Sequence, residues 1–236
     1  MGTIALDLPA IPSPSCCRVS HQCGNNRLPC FLEDADRWCY LRLLRDALAA
    51  TDVALHAYVL MDNYVHLLVT PSETGATSRL MQTLGRQYVG RFNARHGRTG
   101  TLWEGRYKSC LVDGDIYVLR CSRYIDMNPV RARMTDDPAR FAWSSCAALC
   151  GRRNDPLLSP HIAYTRLGSS PAEREAAYRT LLRDALSDDE LQAIRTYLQQ
   201  QRALGRDDFR AMVEAKTRRF AGTRPAHRPA RLLLGK

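Results

Sequence analysis

VALHAYVLMDNYVHLLVTP, residues Val53 to Pro71, contains two β-rich runs, Val53 to Leu60 and Tyr64 to Thr70, around the turn-forming stretch Met61-Asp62-Asn63. A connection of that length and composition predicts a hairpin. In the second run one imidazole, His66, interrupts an apolar segment, with a tyrosine two residues before it. Strand side chains alternate between faces, so Tyr64 and His66 share one face and Val65 and Leu67 the other. Whatever His66 does, Tyr64 can reach.

Outward from the hairpin, CCRVSHQ predicts a strand that stops at the turn Gly24-Asn25-Asn26. Glu33 to Ala50 carries Trp38, Leu41, Leu44, Ala47 and Leu48 at helical spacing. Thr77 to His96 carries Leu80, Leu84, Tyr88 and Phe92 on one stripe, with Gly97 as its stop. Gly105 to Val112 predicts another strand, and Asp113 the cap of a helix that runs to Asn128 and ends at Pro129. The order strand, helix, strand, strand, helix, strand, helix fits an α+β fold, a ferredoxin-like antiparallel sheet with helices on one side.

Beyond about residue 150 the pattern predicts helices only, opened by the capping boxes Ser170-Pro171-Ala172-Glu173 and Ser187-Asp188-Asp189-Glu190. A third short helix is expected after Gly205, through Phe209 and Val213. The expected division is a first domain over 1–150 and a helical extension over 151–236. The piece before the first strand is expected to be extended, and the basic sequel TRPAHRPAR disordered without a ligand.

At 236 residues, with 45% hydrophobic and 25% charged content, the composition is that of a soluble globular protein. No apolar run reaches membrane-spanning length and the N-terminus lacks the features of a secretory signal, so a cytoplasmic location with no membrane partner is expected. Nine cysteines form no CxxC pair, and an odd number without a secretion signal predicts small buried hydrophobes rather than disulfides or a zinc cluster. The net charge of +10 is concentrated in two stretches. Seven basic residues against the single acid Glu104 lie between Arg79 and Lys108, and seven more with no acid between Lys216 and Lys236. Such clustering is the footprint of a polyanion, against the plainer alternative of a solvated helix face and a tail.

The second informative block is RYIDMNPVRA, Arg123 to Ala132. On a helix, Tyr124 and Asn128 are i and i+4, so a phenol and an amide point the same way. Tyr117, seven residues earlier, lies on nearly the same face, and periodicity does not choose between the two tyrosines. His66 could equally be a hydrogen-bonded structural residue, Tyr64 a filler of a half-buried sheet face, and Asn128 an ordinary helix end.

Five blocks in order, GNNRLPCF, HAYVLMDNYVHLLVTP, GRTGTLWEGRYKS, RYIDMNPVRA and FAWSS, resemble the REP-associated tyrosine transposases, IS200-like members of the single-tyrosine HUH endonucleases. The resemblance spans roughly residues 24 to 168. It implies a single-stranded DNA endonuclease and strand transferase acting on REP-type hairpins, with Tyr124 as the nucleophile of a 5′-phosphotyrosine intermediate. It also implies a divalent ion, Mg²⁺ or Mn²⁺, held by a His-hydrophobe-His pair and an Asn or Gln one turn after the tyrosine. Here these positions are Tyr64, His66 and Asn128. Tyr64 stands where the family pattern has its first histidine, and a neutral phenol is a poor ligand. A catalytically impaired hairpin-binding protein is therefore the alternative, and an RNA-binding module on the same sheet a more distant one. Monomer and homodimer are both compatible with the sequence. For DNA contact the candidates are Arg86, Arg91, Arg95, Arg98, Arg106 and Lys108, with Trp103 as either a base-stacking platform or a core residue. Arg27 is a weaker candidate.

Overall fold

The computed structural model describes residues 16–224. The N-terminal piece and the stretch from Pro225 onward, for which the sequence predicts an extended and a disordered segment, lie outside the described residues. β1 (Cys17–Cys23), α1 (Asp34–Thr51), β2 (Val53–Met61), β3 (Tyr64–Pro71), α2 (Ala76–Arg95) and β4 (Lys108–Val112) follow one another. The strands lie in the order β2-β3-β1-β4, with every neighbouring pair antiparallel. This is the ferredoxin-like arrangement of an α+β fold. The hairpin turn is Asp62-Asn63 alone, because Met61 already pairs with Tyr64.

After the sheet come α3 (Asp115–Asp126), α4 (Asn128–Arg131), α5 (Cys146–Leu149), α6 (Ile162–Thr165), α7 (Pro171–Arg183) and α8 (Asp188–Gln199). The chain then adds β5 (Ala203–Leu204) and α9 (Asp207–Thr217). Both capping boxes form, Ser170 with Glu173 and Ser187 with Glu190.

Helices cover both faces of the sheet, not one. On the first face Leu55, Leu60, Val65, Leu67 and Val69 pack against Leu44 of α1 and Leu80, Leu84, Tyr88 and Phe92 of α2. On the second face Cys17, Val19, Ala57, Val59, Leu68, Cys110 and Val112 pack against Val118, Cys121 and Ile125 of α3, Tyr178 of α7, and Ile194 and Leu198 of α8. The reason is visible in β2, whose residues are buried at nearly every position, so that neither face can be left to water. Each fully buried Leu or Phe contributes about 1.5–3 kcal/mol.

Other expectations change as well. The C-terminal part is not helical throughout, since β5 pairs in parallel with β4 and makes the sheet mixed. Asp113 does not cap α3, whose N-cap is Gly114; its Oδ2 instead accepts from the backbone and side chain of Arg206. Pro129 does not end the helical path, because at the first turn of α4 its missing N–H costs nothing. Trp38 is 65% exposed and lies edge-on to Trp143, not in the core stripe of α1. The strand before Asp113 starts at Lys108, not Gly105, which has φ +73°. All nine cysteines are free, and six are buried.

Candidate functional site

A β-bulge in β2, where the register with β3 shifts between Leu55 and Ala57, alternates the faces anew. Leu55 therefore faces α1 and α2, while Ala57, Val59 and Met61 face α3. In β3 the same second face carries Tyr64, His66 and Leu68. β1 brings His21 directly opposite His66 and Cys23 opposite Tyr64, and β4 brings Lys108 opposite His21. Paired residues of neighbouring strands share a face, so these side chains form one polar patch within an otherwise apolar surface.

α3 lays Tyr124 over this patch. The Tyr124 and His66 rings meet edge to face with centroids 5.4 Å apart, and His66 stacks on His21 at 4.3 Å. The Tyr64 hydroxyl donates to Asn128 Oδ1 at 3.1 Å, and Asn128 Nδ2 donates to the carbonyls of Tyr124 and Ile125 at 2.8 and 3.1 Å. Four residues singled out by sequence, Tyr64, His66, Tyr124 and Asn128, thus stand together. Tyr117, the competing tyrosine, packs half-buried at the rim of the second core, with the Arg120 guanidinium over its ring.

Burial sets the electrostatics. His66, 3% exposed, is held well below its ordinary pKa by desolvation, assisted by His21 and Arg131, and His21 is lowered to about 4 by burial and Lys108. Both rings are therefore neutral at pH 7, and the Nδ1 atoms of both are buried without a hydrogen-bond partner. Burial pushes the Tyr64 phenol up to about 12 and raises Tyr124 too, against the guanidiniums of Arg131 and Arg195, which favour its ionised form. Two residues after Tyr124, Asp126 is buried with its carboxyl raised to about 7 by desolvation. It accepts from the hydroxyls of Tyr178 and Ser145 at 2.7 and 2.8 Å, and Ser145 accepts from the Tyr58 amide. Ser145 of the FAWSS block therefore ties α3 to β2, and Tyr178 ties α7 to α3.

The donors present fit a divalent ion incompletely. His66 offers a neutral imidazole with an orphaned nitrogen, which suits a ligand. Asn128 Oδ1, however, is occupied by the Tyr64 hydroxyl, and Tyr64 is a neutral phenol, so the set in this arrangement is short of the family's pair of imidazoles plus an amide oxygen. Among the described residues two other groups are close enough to hold a metal ion, Cys17 with His56 and His161, and Glu33 with Asp36 and His96. Their atoms are already engaged. His56 Nδ1 lies 2.6 Å from the Ser159 carbonyl and Nε2 2.8 Å from the Thr70 hydroxyl, while His161 Nδ1 accepts from the Ala163 amide. Asp36 accepts from His96 and from the backbone amides of Leu32 and Glu33.

The predicted DNA-binding residues do not gather at this site. Arg86, Arg91 and Arg95 are exposed on α2, on the other side of the sheet, and Arg95 pairs with Glu33 at 2.6 Å. Arg98, just past α2, is half-buried with its guanidinium 5.5 Å from the Phe92 ring centre. Arg91 and Arg95, with Arg42, Arg45 and Trp38, line a groove of about 810 Å³ beside α1. Arg106 is exposed in the loop before β4, and Lys108 alone stands beside His21. Trp103 is a core residue, 5% exposed and packed near Gly85 of α2, so it has no free ring face for a base. Arg27 is exposed in the Gly24 turn.

Sequence reasoning missed His21, Arg131 and Arg195. His21 was visible as a residue of a predicted strand, and Arg131 as the i+3 neighbour of Asn128 inside RYIDMNPVRA. Arg195 carries no local signal.

The family model for IS200-like transposases matches residues 22–128, a stretch that begins at the end of β1 and ends on Asn128. The REP-associated tyrosine transposase bound to a REP hairpin is similar at 12% identity over 64% of this chain and 94% of its own, with a TM-score of 0.48. A transposase-like protein of Deinococcus radiodurans R1 is similar at 21% identity over 50% of this chain and 84% of its own, with a TM-score of 0.35. Among curated proteins, none is similar in sequence to this chain. Among the described residues no helix is long and apolar enough to cross a membrane.

Proposed function

We propose that the chain is a single-stranded DNA endonuclease and strand transferase that acts on REP-type hairpins, with Tyr124 as nucleophile. The observation that carries this reading is the convergence of Tyr124, His66 and Asn128, from two motifs far apart in sequence, on one buried polar patch of the sheet. Attack by the phenol on the scissile phosphorus would form the tyrosine O–P bond while the bond to the 3′ oxygen breaks. The phenol proton ends on that oxygen, leaving a 5′-phosphotyrosine and a free 3′-hydroxyl. The family resemblance and the basic charge support DNA as partner and the cytoplasm as location.

The family's ion, Mg²⁺ or Mn²⁺, would find His66 ready, and Asn128 only if Tyr64 released its amide oxygen. That same hydrogen bond favours the second reading, a hairpin-binding protein whose cleavage is slow.

Incubation with a REP-type hairpin oligonucleotide and Mn²⁺ separates the two. The first reading expects an adduct that survives denaturing electrophoresis and is abolished by Tyr124→Phe. The second expects hairpin binding that Tyr124→Phe leaves unchanged and no adduct from the wild type. Tyr64→His should raise affinity for Mn²⁺ by an order of magnitude or more, read by calorimetry, since it supplies the missing imidazole.

A further inference from the structure

We infer that His21 of β1 supplies the second imidazole of the ion site, standing in for the histidine that Tyr64 replaces, so that the donors come from two neighbouring strands rather than one. As a ligand of the reaction's ion His21 rests on the nuclease reading above; as a ligand of a divalent ion it does not.

The strand register brings the two imidazoles together. His21 lies directly opposite His66 where β1 pairs with β3, and the rings stack at 28° with centroids 4.3 Å apart. The Tyr64 ring, at the position of the family's first histidine, is 5.3 Å from His66 and 5.5 Å from His21. The ring on β1 is thus nearer to His66 than the ring on its own strand is. Directly opposed side chains on one face of a sheet reach a common group, so losing an imidazole from β3 still leaves a pair across the strands. His66 also meets the Tyr124 ring at 5.4 Å, and the pair therefore borders the phenol.

Both rings have a nitrogen to spare. The Nδ1 atoms of His21 and His66 are buried without a hydrogen-bond partner among the described residues, a costly state that a bound ion would relieve. His21 Nε2 lies 2.8 Å from the Cys23 thiol. With Nε2–H turned to that sulfur the lone pair falls on Nδ1, because the hydrogen bond made by one ring nitrogen fixes the role of the other. His21, unlike His66, is partly exposed, which opens the pair toward solvent on the β1 side. Two imidazoles suit an ion that accepts nitrogen ligands, such as Co²⁺, better than Mg²⁺, which keeps to oxygen and water. Lys108, opposite His21 in β4, brings positive charge to the same patch and opposes any cation there.

Co²⁺, Mn²⁺ and Mg²⁺ are titrated calorimetrically into the full chain without DNA, and adduct formation with the hairpin oligonucleotide and Mn²⁺ is measured beside them. The wild type should bind the ions in the order Co²⁺, Mn²⁺, Mg²⁺, tightest first. His21→Phe keeps a stacked ring and removes both donor nitrogens; with folding verified by urea unfolding, it should bind Co²⁺ at least about tenfold more weakly. Tyr64→His on that background should restore the affinity to within a few-fold of wild type, and Lys108→Gln alone should tighten it several-fold. Equal Co²⁺ affinity in wild type and His21→Phe, binding by neither, or no gain in Lys108→Gln would overturn the role of His21 and leave the nuclease reading to the adduct. Affinity that depends on His21 with no adduct from the wild type would sink the nuclease reading and keep the two-strand ion site.

Discussion

One sheet here has two buried faces, and they differ in what they bury. The face under α1 and α2 is filled by leucines, valines and aromatics from elements adjacent in sequence. The face under α3 and α8 is closed by residues from positions 17 to 204, and amid them it holds the cluster of His21, His66, Tyr64, Tyr124 and Asn128. The first face stabilises; the second spends part of its burial on holding polar groups neutral. The lesson is that burial and function are not opposed on this fold, since desolvation holds the His66 imidazole well below its ordinary pKa and so keeps it a free base.

Three measurements can break or sharpen that contrast. Leu84→Ala, on the apolar face, should cost about 2–5 kcal/mol in urea unfolding, while adduct formation per folded molecule stays at the wild-type rate. A slowed rate in the folded fraction would mean the faces are not independent. Acidification should act on the second face, where His56 is buried among Val118, Leu149 and Tyr178, apart from the His66 cluster. His56 is lowered to about 4 by burial, below its unfolded value near ~6.5. The unfolded chain then binds more protons between those values, so the stability due to neutral His56 is complete above ~6.5 and is lost as pH falls toward about 4. One such histidine contributes a loss of about 2 kcal/mol between pH 7.5 and 5, and His56→Gln should flatten the urea midpoint over that range by a comparable amount. A slope unchanged by the substitution would assign acid sensitivity to other groups. The smallest effect is expected from Arg91→Gln, on the groove beside α1. Hairpin affinity should fall several-fold and the log–log salt slope by about 0.7–0.9, the share of one phosphate, with the adduct rate at saturating DNA unchanged. Equal affinities at all salt concentrations would remove that groove from the DNA path.

The contrast also explains what was legible. The hairpin, α1 and α2 could be read because a strand period or a helical stripe is written within one segment, as with Leu80, Leu84, Tyr88 and Phe92. The pairing of Tyr124 with Asn128 was readable for the same reason, being one helical turn. The apposition of His21 and His66 was not, because it depends on the register between β1 and β3, which no local pattern states. Arg195 needed the path of α8 across the sheet. The arginines of α2 were rightly seen as a basic cluster, but composition cannot say on which side of a sheet a helix will lie. Trp38 shows the same limit, since a residue at the edge of a stripe can face outward and rest on Trp143 instead.

β5 has a further consequence. Leu111 and Asp113 donate to the carbonyls of Arg202 and Leu204, so this two-residue strand occupies the outer border of β4, where open amides would otherwise invite pairing with another chain. A version cut off before Arg202 would be left with a sticky flank, and self-association, rather than simple unfolding, is the fault that such a shortened chain would show.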